Sequence, residues 1–81
     1  VNTNDNVWVE LTDWGWKLFD SYHENLGLDP TVYRAMIADD GWQRFQLHEL
    51  MHIFGWAMYN GAYHIPFDCN EVHLTKPDVS P

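Results

Sequence analysis

The stretch over residues 41–60, GWQRFQLHELMHIFGWAMYN, constrains the fold more than any other part of the chain. It is the longest run with apolar periodicity. Placed at about 100° per residue, Trp42, Leu47, Leu50, Met51, Ile53, Phe54, Ala57 and Met58 share roughly half the circumference. His48, His52 and Tyr59 cluster opposite, with Arg44 and Gly55 beside them and Phe45 and Trp56 on the flanks. This spacing predicts one long amphipathic helix over 41–60 whose first face enters the core. Its second face mixes imidazole with aromatic rings, so a second neighbour is expected there: another element, a partner or a metal.

The remaining elements follow from shorter signals. Val7-Trp8-Val9-Glu10-Leu11 alternates and predicts a strand with Val7, Val9 and Leu11 on one face. Thr12 or Asp13 then caps a helix over 13–26. Trp14, Leu18, Phe19, Tyr22 and Leu26 share its core face, Asp20 and Glu24 lie one turn apart away from it, and Trp16 falls outside the stripe near His23. Gly27 followed by Leu28 reads as a left-handed stop. Asp29-Pro30 opens a short second helix carrying Val32, Tyr33, Met36 and Ile37, which Asp39-Asp40-Gly41 ends. After the long helix, 62–66 is a connection, and 67–74 holds a second strand, best defined over 70–74. The ends, 1–6 and 75–81, are expected to fray. The fold class is therefore α+β: a single domain, 1–81, in β-α-α-α-β order, with three helices packed on a two-stranded antiparallel ribbon.

Size and charge narrow the function. A chain of 81 residues makes one small core, and with five Trp the packing of aromatic rings must supply much of its stability. Four Lys and Arg against twelve Asp and Glu give a net charge of −8. That excludes direct binding to a nucleic-acid backbone, where cations must replace counterions. It suits a protein partner with a basic or nucleic-acid-binding surface. Cys69 is the single cysteine, so no internal disulfide forms and a reducing cytoplasm is compatible. No apolar run approaches the ~18 residues of a membrane span.

Two chemistries compete for the long helix. His48-Glu49-Leu50-Met51-His52 places two imidazoles one turn apart with a glutamate between them. The string resembles the zincin metallopeptidases. That resemblance implies zinc as cofactor, His48 and His52 as ligands and Glu49 as the general base. In the thermolysin-like branch the third ligand is a glutamate about twenty residues on, after an asparagine, and Glu71 follows Asn70. In the metzincin branch Gly55 matches, but Met58 stands where the third histidine belongs. Zincin domains also need an upstream sheet, and only one strand is legible upstream here. The expectation is therefore no catalytic residue and no metal, with the zinc hydrolase as the alternative.

The other chemistry is recognition. Trp8, Trp16, Phe45 and Trp56 exceed what the core stripes use, and exposed Trp is enriched at interface hot spots. With Asp13, Asp20, Glu24, Asp39 and Asp40 they form an anionic, aromatic face able to compete for a site that takes nucleic acid. The expected contacts are Trp16, Asp20, Glu24, Asp39 and Asp40. The phrases Leu11-Thr12-Asp13-Trp14-Gly15-Trp16, Leu26-Gly27-Leu28-Asp29-Pro30, Phe45-Gln46-Leu47, Ile53-Phe54-Gly55, Asn60-Gly61 and Ile65-Pro66-Phe67 together resemble small acidic proteins of bacteriophages and prophages. Such proteins include inhibitors of host defence, among them anti-CRISPR proteins. The resemblance implies an inhibitor in the host-cell cytoplasm that occupies a surface of a CRISPR effector. A phage structural or assembly protein is a third possibility.

Overall fold

The computed structural model describes residues 2–60, 66–68 and 71–77. Among them run β1 (Asn6–Val9), α1 (Asp13–Asn25), α2 (Pro30–Ile37), β2 (Ala38–Asp39), β3 (Trp42–Gln46) and α3 (Leu47–Asn60). The class is α+β, as expected. The sheet is not a two-stranded ribbon of the chain ends but a three-stranded antiparallel sheet in the order β1-β3-β2.

The largest departure lies inside the long stretch. Its first residues form β3, and only Leu47–Asn60 is helical. The cause is the Asp40-Gly41 pair. Both residues sit at positive φ, 54° and 86°, which is what a two-residue type I′ hairpin loop demands. The turn sets Asp39 opposite Trp42 and sends β3 back along β1, with Val7 opposite Phe45 and Val9 opposite Gln43. Phe45 then points into the core, while Trp42, Arg44 and Gln46 take the other face. Period two replaces period 3.6 because the edge of β1 needs a partner for its backbone groups.

Local signals placed α1 and α2. Thr12 Oγ1 accepts the Gly15 N–H at 3.1 Å and caps α1. Asp29 Oδ1 accepts the Thr31 N–H at 3.0 Å and caps α2, with Pro30 in the first helical position. At the end of α1 the N–H groups of Gly27 and Leu28 donate to the carbonyls of Glu24 and His23, both at 2.9 Å, with Gly27 at φ 75°. This is the Schellman closure. The start of α3 is satisfied from afar: Leu47 N–H donates to Asp5 O at 3.0 Å and His48 N–H to Thr3 O at 2.9 Å.

The expected strand over 70–74 falls partly outside the described residues, which leave out Cys69 and Asn70. Of the rest, His73 exchanges two backbone hydrogen bonds of 2.9 Å with Trp8. A second bridge joins Leu11 and Phe67. The C-terminal segment therefore lies along the free edge of β1 through isolated bridges.

The core gathers Val7, Val9, Leu11, Phe19, Phe45, Leu50, Phe54 and Phe67. Its four phenylalanines touch in series edge to face: Phe19–Phe45 at 6.0 Å, Phe45–Phe54 at 5.7 Å and Phe54–Phe67 at 5.2 Å between centroids. Such contacts add to simple area burial. Phe45, expected among the surplus aromatics, is thus a core residue. Helix α3 buries Leu50, Phe54 and Ala57 but leaves Met51 and Met58 exposed. Helix α1 turns Gly15, Phe19 and His23 inward and leaves Leu26 exposed. Among the described residues no helix is long and apolar enough to cross a membrane.

Candidate functional site

Residues Trp16, Asp20 and Glu24 recur every four positions, so they line one side of α1 next to its buried Gly15-Phe19-His23 row. Helix α2 packs beside that side and supplies Arg34. The Arg34 guanidinium donates to both carboxylate oxygens of Asp20, Nε at 3.0 Å and Nη2 at 2.6 Å. Its carbon lies 4.4 Å from the centre of the Trp16 ring. A planar cation thus satisfies a carboxylate in its plane and an indole with its face. The hydrogen bond to Asp20 raises the Arg34 pKa above its ordinary value. Asp13 and Lys17, on the preceding turn of α1, complete a cleft of about 360 Å³ with these three residues.

Asp39 and Asp40 belong to a second site, the β2–β3 turn. Trp8 Nε1–H donates to Asp39 Oδ2 at 2.8 Å across the sheet. Lys76 Nζ donates to Asp39 Oδ1 at 3.2 Å and to Asp40 Oδ2 at 2.5 Å. The Trp8 and Lys76 hydrogen bonds lower the Asp39 pKa, and the two carboxylates raise that of Lys76. The ring of Trp42 stands 5.1 Å from that of His73, which itself lies 3.3 Å from the Glu71 carboxylate. The five expected contact residues therefore divide in two: Trp16, Asp20 and Glu24 along α1, and Asp39 and Asp40 at the hairpin turn. Glu24 is exposed, whereas Trp16, Asp20, Asp39 and Asp40 already hold partners within the chain.

The histidines of α3 project from its solvent side. His48 Nε2 meets Gln46 Oε1 at 2.7 Å, and the His52 ring makes an edge contact of 5.7 Å with Tyr22. Glu49 Oε1 accepts the Gln46 N–H at 3.1 Å, the reach-back half of a capping box. Its glutamate chemistry is thus spent on helix initiation. Glu71 keeps company with His73 rather than with His48 and His52. Among the described residues no three His, Cys, Asp or Glu side chains gather as a metal site would require.

Arg34, Lys17 and Lys76 were not singled out from the sequence. With only four Lys and Arg in the chain, asking which carboxylates each one neutralises would have drawn attention to them. His23 is the other surprise. It is buried, stacked on Tyr33 at 4.5 Å and tilted against Phe19 at 4.4 Å. Its Nδ1 lies 2.8 Å from the Phe19 carbonyl, which can only accept, so that nitrogen carries the proton. Comparison with known protein families, with characterised proteins and with solved structures finds no match to this chain.

Proposed function

We propose that this protein is an acidic binding protein that covers a basic, nucleic-acid-binding surface of a protein partner and so blocks it. The form of action is that of phage-borne inhibitors of host defence nucleoproteins, CRISPR effectors among them. One observation supports the reading above the others. Arg34 and Lys76, two of the four Lys and Arg, are turned onto carboxylates of the same chain. Glu10, Asp13, Glu24, Asp29 and Asp68 stand exposed. These internal pairs leave the net charge at −8 while occupying two of the four cations, so the surface offered to a partner is dominated by carboxylates, and a field of one sign steers and selects an opposite one.

The experiment is capture of partners from a host lysate by the immobilised protein at low and at high salt. A basic or nucleic-acid-binding protein retained at low salt and released at high salt is the expected result. Recovery of no such protein at either salt overturns the reading.

A further inference from the structure

Helix α2 has no buried residue. Tyr33 and Ile37 face the body and are half-buried, and Arg34 is drawn to α1. The outward side carries Val32, 54% exposed, and Met36, 65% exposed, one turn apart. Leu26 and Leu28 extend the same apolar run ahead of the Asp29 cap. Single exposed apolar side chains are ordinary, but a strip of four within residues 26–36 is not. Thr31 and Ala35, its exposed neighbours on the helix, carry no charge, and the Asp29 carboxylate lies between Leu28 and Val32.

A concavity of about 250 Å³ opens at the C-terminal end of the strip. Met36 and Ile37 wall it, Phe45 lies at its base, and Arg44 and Glu49 line it as well. Two exposed carboxylates accompany the strip in the chain: Glu24, two residues before Leu26, and Asp29, the cap of α2. The strip thus ends on a hollow of mixed lining, where Met36, Ile37 and Phe45 stand beside Asn6, Arg44, Gln46 and Glu49.

The geometry points to this outward side of α2 as the docking site for a basic amphipathic segment of a protein partner. An apolar side chain of that segment packs on Met36 at the rim of the hollow, others cover Val32 and Leu28, and its Lys or Arg side chains meet Glu24 and Asp29. Charge selects this occupant. A second copy of the chain would bring a further −8 and set its own carboxylates against Glu24 and Asp29. A nucleic acid would bring phosphates to the same place. The inference rests on the reading of the chain as an acidic binding protein, and adds where the partner sits and what it must present.

The test uses the full chain, isotope-labelled, and a synthetic peptide of Leu and Lys with Leu on one helical face. A scrambled peptide of the same composition is the control. Amide shifts centred on residues 28–37 and 44–46 are expected. The double substitution Val32→Ser, Met36→Ser is expected to weaken the patterned peptide roughly tenfold, as loss of an apolar anchor does, with melting unchanged and the scrambled peptide unaffected. Shifts centred on Asp13, Trp16 and Asp20, with the double variant binding as tightly as the parent, overturn the inference and leave the broader reading standing. Binding of neither peptide at low salt also overturns it, and lysate capture then decides the broader reading on its own. Concentration-dependent dimerisation that the double variant abolishes assigns the face to a second copy, which overturns it too.

Discussion

Gly15 lies in the first turn of α1 and Gly55 inside α3, and inside a helix glycine costs about 1 kcal/mol relative to alanine. Their surroundings are opposite. A Cβ on Gly15 would run into the backbone carbonyl of Pro66, which also accepts the Thr12 N–H at 3.0 Å and cannot withdraw cheaply. A Cβ on Gly55 would meet open space. Gly15→Ala should therefore destabilise by about 1–3 kcal/mol, the usual cost of overpacking, while Gly55→Ala should stabilise by roughly 0.5–1 kcal/mol. Thermal melts of the two variants check this, and shifts in the same direction would refute it. Asp39 supplies a pH dependence. Its folded pKa lies below the ordinary carboxylate value because Trp8, and after it Lys76, donates to it. A lowered carboxylate stabilises above about pH 4 and loses that contribution as pH falls through the folded value. Lys76, raised by Asp40 and Asp39, stabilises below about pH 10.4 and loses its contribution above that, so the link acts between the two limits. Asp39→Asn should lower the melting temperature at neutral pH and lose that deficit as pH falls through the folded value.

Among the elements, α2 is held most lightly. Its attachments are the half-buried Tyr33 and Ile37, the stack of Tyr33 on His23, and the Arg34 contacts with Asp20 and Trp16. By contrast α3 buries Leu50, Phe54 and Ala57. Elements with few buried contacts open at lower free energy. Amides of α2 should therefore exchange faster than those around Leu50 and Phe54. Arg34→Ala should speed them further while leaving the α3 core amides unchanged. The Asp20–Arg34 pair is largely exposed, at 28% and 44% for the two side chains, so its effect on global melting should stay within about 1 kcal/mol. Uniform acceleration across both helices would show that α2 opens only with the whole fold.

At the scale of the whole molecule, the distribution of charge matters more than its sum. Two of the four cations, Arg34 and Lys76, are paired at the surface with carboxylates of the α1–α2 cleft and the hairpin turn, so a partner meets mainly carboxylates. Association driven by such a field should slow by about tenfold or more as salt rises from tens of millimolar to several hundred, while dissociation changes little. Stopped-flow mixing with a captured partner measures both, and an association rate indifferent to salt would remove charge as the driver. The five tryptophans show a division between inside and outside. None is fully buried; the core belongs to the phenylalanines, and Trp56 is 73% exposed. An indole carries an N–H that needs a partner, and Trp8 finds one only at the surface, on Asp39.

What the sequence alone determined were the features whose causes are local. The Asp29 cap, Pro30 at the start of α2 and the Gly27 closure each depend on a few consecutive residues and were readable, as was a cap for α1 at Thr12 or Asp13, of which the structure takes Thr12. So was the solvent-facing placement of His48 and His52, since it follows from helical period over residues that are helical. What only the tertiary structure decided were features that depend on a distant strand or side chain. Trp42 and Phe45 stand three apart, a spacing that suits a helix, and β1, more than thirty positions earlier, overrode it. The burial of His23 required Tyr33 to arrive from α2, and the loss of Asp20, Asp39 and Asp40 as free carboxylates required Arg34 and Lys76. A carboxylate in a sequence is one charge; whether it faces solvent or a cation depends on which elements pack side by side.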